Sequence, residues 1–225
     1  MGTITRTFAN NITTSGVFKP TAFNNASFDN VTAVPSGALP AGGSMVLLST
    51  QTASASSSIS FTTGIDSTYK EYMFIFNNIH PATDSVGLQF NFSTDGGSNY
   101  NVTKTSSHFR TYHDEADAGT TLAYTDWNDL AQSTSYQNLT GDLYGEGIGN
   151  DNDQSTSGYL HIFEPSSTTF VKHFIANFQY ANPNDYTENS YTAGYGNTTS
   201  AINAIDFKMS SGNIDDGTIQ MFGIL

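Results

Sequence analysis

The sequence predicts an all-β fold: an antiparallel β-sandwich, jelly-roll-like, behind an extended N-terminal arm. Three observations predict it. First, apolar residues recur with period two. Val86, Leu88, Phe90 and Phe92 alternate with Gly87, Gln89, Asn91 and Ser93, the pattern of a strand with one face in a core and one in water. Second, short runs of this kind are separated by turn residues such as His80–Ser85 and Ser93–Asn99, the spacing expected of a sandwich. Third, only 12% of residues are charged, while 16 Phe and 12 Tyr provide a large core.

Taken in order, residues 1–34 hold few apolar side chains, and Gly16 and Pro20 break any helix. Alone they cannot bury enough surface to fold, which predicts an arm ordered by docking on another subunit. Residues 35–44 read as a Pro/Gly linker, and residues 45–225 as the β-sandwich domain. Met45–Leu48 is the first apolar strand, and residues 49–58 a solvated loop or weak edge. Ile59 and Phe61 share one face of a short strand. Tyr72–Phe76 is a continuous apolar run that predicts a strand covered on both faces. With Val86–Ser93 it predicts a hairpin at the centre of a sheet.

Beyond Ser93, Tyr100–Lys104 and His108–Tyr112 read as short strands, with 113–121 as polar loop. Asp126 could cap a short helix through Leu130. Leu143–Ile148 and Gly158–Phe163 are further strand candidates. Residues 168–180 fit a helical stripe through Phe170, Phe174 and Phe178, or a buried strand. Thr168, Thr169 and the aromatic content favour the strand. Residues 181–200 read as loop, 201–209 as an alternating strand, 213–217 as a turn, and 218–225 as the last strand.

The formal net charge is −13, from 20 acids and 7 bases. So few cations neutralise few phosphates, which argues against a nucleic-acid partner. There is no cysteine, so disulfides and thiolate metal sites are excluded. No run approaches the length of a membrane-spanning helix, and Met1–Gly16 lacks a basic stretch followed by an apolar block, so neither membrane nor signal peptide is expected.

Catalytic patterns are weak. No Gly-x-Ser-x-Gly occurs, and Gly145–Gly149 has no Lys-Ser/Thr after it. A carboxylate pair for glycoside hydrolysis could come from Glu146 and Glu164. His108, His113, Asp114, Glu115 and Asp117 are the densest potential metal ligands, but lack a ligand spacing. Asn150–Asp153 and Asp215–Gly217 resemble parts of calcium loops without the closing glutamate. The expectation is a non-enzyme with no cofactor and no metal. Trp127, with Tyr124, Asp126, Asn128 and Asp129, combines an aromatic platform with hydrogen-bonding groups. That mixture suits a glycan-binding surface; the plainer alternative is a Trp filling a small core under a loop.

The opening Met1–Asn11, continued by Val17–Pro20 and Ala22–Asn25, resembles the N-terminus of virion structural and appendage proteins of marine tailed bacteriophages, especially those infecting cyanobacteria. The closing Gly217–Ile224 is similar to the last strand of such domains. The resemblance implies a virion protein, assembled in the host cytoplasm: a capsid decoration, head fibre or tail appendage. Ile4, Arg6, Phe8, Val17, Phe18 and Phe23 would then attach it to other virion proteins. The domain would be displayed outward by a homotrimer, with a host surface glycan as the alternative ligand.

Overall fold

In a computed structural model, residues 45–142 and 145–224 are described. The arm and linker of the sequence reading, with their attachment residues, lie outside them. Twelve strands form two antiparallel sheets and, among the described residues, there is no helix. The strands are β1 (Met45–Thr52), β2 (Ile59–Phe61), β3 (Glu71–Pro81), β4 (Leu88–Ser93), β5 (Lys104–Asp114), β6 (Thr120–Tyr124), β7 (Gln137–Asn138), β8 (Thr156–Phe163), β9 (Lys172–Ala181), β10 (Tyr186–Gly196), β11 (Ala204–Met209) and β12 (Ile214–Ile224). The larger sheet runs β1-β12-β3-β8-β9-β10-β5-β6 and the smaller β2-β11-β4-β7. First and last strands pair, and the next ones inward pair in turn, β2 with β11. This nested wrapping is jelly-roll-like.

Between the sheets lies an aromatic core. Phe207 of β11 meets Phe61 at 6.2 Å, Phe74 at 5.4 Å and Phe76 at 5.0 Å between ring centroids. Phe90 of β4 meets Phe174 of β9 at 5.2 Å, nearly perpendicular. These edge-to-face contacts are the favoured geometry for ring quadrupoles. They set the small sheet over the β3 to β9 part of the large one.

Four strands cannot cover eight. At roughly 4.8 Å per strand, half of the large sheet's inner face needs another roof. Coil between β6 and β8 supplies it, and coil brings unpaired backbone groups that must be satisfied. The inward side chains of β5 and β10, and Tyr180 near the end of β9, are correspondingly polar. Ser190 Oγ donates to the Leu139 carbonyl at 2.6 Å, Gly141 N donates to the Tyr180 hydroxyl at 2.9 Å, and Thr125 N donates to the His108 carbonyl at 3.0 Å.

Several expectations need correction. Tyr72–Phe76 and Val86–Ser93 are not a hairpin: β3 belongs to the large sheet and β4 to the small one. Tyr72, Phe74 and Phe76 are buried while Met73 and Ile75 face outward, so the run alternates. The second face of β4 is not in water. Asn91 and Ser93 are fully buried, because the chain from Tyr100 to Thr134 folds over them and takes both Asn91 amide hydrogens. Residues 186–196 are a full strand rather than loop. The stretch 104–114 is one strand, not two, and 214–217 is a bulged part of β12. Asp126–Asp129 is a turn closed by Asn128 N donating to the Thr125 carbonyl, not a helix start. Residues 172–181 are a strand, with alternating burial. Residues 145–148 form no strand; Ile148 makes an isolated bridge to Val86.

Candidate functional site

Two features are organised enough to act: the outer face of the large sheet, and a polar hollow under its β10-β5 end. On the outer face, register aligns one row across all eight strands. Tyr124 opposes Phe109, Phe109 opposes Tyr191, and Tyr191 opposes Asn177. The row continues through Tyr159 and Ile75 to Gln220 and Thr50. Phe109 and Tyr191 stack at 4.9 Å with an interplanar angle of 11°. The next row carries Ile175, His161, Met73, Phe222 and Leu47 in register. Of the ten large apolar side chains that stay exposed among the described residues, all but Trp127 and Phe170 are on this face.

The central amides of this face are occupied. Asn177 Nδ2 donates to Asn189 Oδ1 and to the Ser190 carbonyl, and Asn189 Nδ2 donates to the Phe178 carbonyl. Glu71 lies 2.9 Å from His161 Nε2.

The glycan platform expected around Trp127 is divided. Tyr124 faces outward and its hydroxyl donates to Asp129 Oδ2, which with burial raises the phenol pKa. Asp126 is exposed. Asn128 is buried: its Oδ1 accepts from Asn138 Nδ2, and its carbonyl accepts from Gln137 Nε2. It holds β7 in place and cannot serve a ligand at the surface. Trp127 is bonded to Glu146, whose carboxylate meets the inward-facing Arg110.

Arg110 is the hub of the hollow. Its Nη1 donates to Glu188 Oε2 at 2.6 Å and its Nη2 to Glu146. Glu188 also accepts from the Tyr180 hydroxyl at 3.1 Å and from Asn182 Nδ2 at 2.6 Å. Burial pushes the Glu146 carboxyl up; Arg110 pulls it down, and the charge on Glu188 adds to the rise. Tyr180 is driven well above an ordinary phenol by burial and by Glu188. The hollow encloses about 160 Å³ between Arg110, Tyr112, Glu146, Asn182, Asn184 and Tyr186. Sequence reasoning missed Glu188 because residues 181–200 read as loop, and with it the partner that makes Arg110 a buried hub. The other carboxylate of the supposed pair, Glu164, is exposed and pairs with Lys70 at 3.1 Å. Arg110 holds Glu146 beside Glu188 instead.

No protein-family model, curated protein or solved structure matches this chain. Function is therefore argued from the site itself.

At the end of the sandwich near the β9-β10 turn, His113, Asp114, Glu115, Asp151, Asp153 and Asp185 line a cleft of about 560 Å³. Asp215 and Asp216 line a neighbouring hollow of about 420 Å³, which shares Asp153. The fold thus gathers acids that are scattered in sequence. Among the described residues, however, no three His or carboxylate side chains are placed to hold a metal ion.

Proposed function

We propose that this chain is a non-enzymatic structural component of a bacteriophage virion: a capsid decoration, head fibre or tail appendage. Residues 1–34 attach it to other virion proteins, and the β-sandwich is displayed outward by associated copies of the chain. The observation that carries this reading is the one-sided distribution of exposed apolar side chains on a sheet otherwise built for solvent. A surface of that kind suits a protein that works in an assembly. The likeness of the opening residues to virion proteins supports the same reading. Deleting residues 2–30 tests it: the truncated protein should fold yet fail to enter particles, and normal incorporation would refute the arm.

A second reading, carbohydrate recognition, is favoured by one observation. Trp127 is partly exposed and bonded to Glu146, which lines the polar hollow. An aromatic ring beside fixed hydrogen-bonding groups can hold a sugar. Glycan binding that disappears in Trp127→Ala supports this reading, and binding indifferent to Trp127 removes it.

A further inference from the structure

We propose that the outer face of the larger sheet is the surface through which copies of this chain pack against each other. This deepens the assembly reading, and the two can fail separately, since one concerns residues 1–34 and the other the sheet.

Size is the first argument. Eight strands at about 4.8 Å span roughly 38 Å, and three rows of outward side chains span about 20 Å along them. The product, about 760 Å², is close to what each partner of a stable complex buries, about 800 Å².

Chemistry is the second. The central rows hold Leu47, Met73, Ile75, Phe222, Tyr159 and Ile175, and no Lys or Arg. A membrane-binding face would need basic residues. A sugar is held by several fixed amide and carboxylate groups beside its ring, whereas the central amides here, Asn177 and Asn189, are spent on one another and on backbone. What remains is suited to a dry protein contact.

Charge identifies the partner. With a net charge of −13 two copies repel unless their carboxylates are kept apart. In the two central rows no carboxylate projects. Glu71, in the row beyond, faces His161. Two sheets of identical twist also pack aligned, face to face, as the sheets of a sandwich do. A second copy offers that matching twist together with the same uncharged surface.

The test uses the full chain in sedimentation equilibrium between about 2 and 100 μM, where association responds to concentration. The wild type should show a mass above the monomer. Leu47→Glu and Ile175→Glu each bury a carboxylate in the contact and should weaken association about tenfold or more. Both positions are exposed, so unchanged circular dichroism verifies folding, and Phe170→Glu, off this face, should leave the mass unchanged. A monomeric wild type, or an oligomer indifferent to both substitutions, overturns the proposal. Hydroxyl-radical footprinting of the unmodified protein is the second measurement. Protection of Tyr159 and Tyr191 should grow with concentration. Protection independent of concentration would mean that the chain covers the face with its own residues, which also overturns it.

Discussion

Replacing Arg110 by Met tests the polar interior most directly. The side chain is about nine-tenths buried, and it bridges Glu188, 1% exposed, to Glu146, 13% exposed. Met keeps most of the volume over the Tyr112 ring, to which the guanidinium now stacks at 5.2 Å. What is lost is the cation that pairs with both buried carboxylates. Breaking one buried pair costs about 3–5 kcal/mol, because the remaining charge stays desolvated. Here two charges are stranded, so the loss at pH 8 should reach the upper end of that range. The chain has one escape, which is to protonate Glu146. Its folded pKa is already raised by burial, and removing Arg110 raises it further. A carboxyl with a raised folded pKa contributes stability below its unfolded value, and loses it as pH rises through the folded value. Arg110→Met should therefore be damaged less at pH 5 than at pH 8. Urea unfolding at both pH values measures this. A loss below about 1 kcal/mol at pH 8 would refute the reasoning. So would an equal loss at both.

Lys104 is fully buried, donating to Asn91 Oδ1 and the Val102 carbonyl, and burial pulls its pKa down to about 7. Between that value and the unfolded one the unfolded chain holds the extra proton, so stability should rise with pH by up to about 1.4 kcal/mol per unit. Lys104→Met should flatten that rise over pH 7 to 9.5, below the tyrosines; parallel slopes for the two proteins would contradict it. His108, bonded through Nδ1 to Thr192 Oγ1 at 2.9 Å, is held down to about 4 by burial and by Arg110. Its contribution is complete above the unfolded pKa and falls away toward pH 4, by up to about 3 kcal/mol. His108→Gln should shift the acid-unfolding midpoint downward relative to the mutant's own stability at pH 7, and an unchanged acid profile would discount the histidine. Gly217 has φ +112° in the β12 bulge, and a Cβ there would meet Asn78 O at 2.5 Å. Gly217→Ala should cost about 2 kcal/mol or more in thermal unfolding, and near-neutrality would show that the bulge can shift.

Strands that meet the aromatic core were legible, since Phe90, Phe92 and Phe207 repeat at the strand period. Their partners were not. Period two tells which residues share a face but not what covers that face. Gln89, Asn91 and Ser93 therefore read as solvent-facing when coil in fact buries Asn91 and Ser93. The same ambiguity hid β10. Its inward residues Glu188, Ser190 and Thr192 are polar, so the strand has no apolar stripe to reveal it. The signal that could have found it was the Tyr and Thr content of 186–195, favourable to a strand in any setting. The residues of the expected glycan platform are divided for a local reason. Adjacent residues of a turn need not share a face, and Tyr124, Trp127 and Asn128 face three different surroundings.

The unequal sheets link these errors to the candidate sites. Where strands roof strands, backbone groups pair within each sheet, and the space between can be all Phe and Ile. Where coil roofs strands, its carbonyls and amides need partners from below. Tyr180, Ser190 and Thr192 meet that need with hydroxyls directed at Gly141, Leu139 and Asn138. Once the region is polar, charges can be kept there at lower cost, and Arg110, Glu146 and Glu188 occupy it as one bonded set. The coil therefore determines the chemistry of the hollow, and the outer face of the same strands is left free of that constraint. Its side chains need not supply partners to a covering coil, and eight of the ten exposed large apolar side chains among the described residues lie on it.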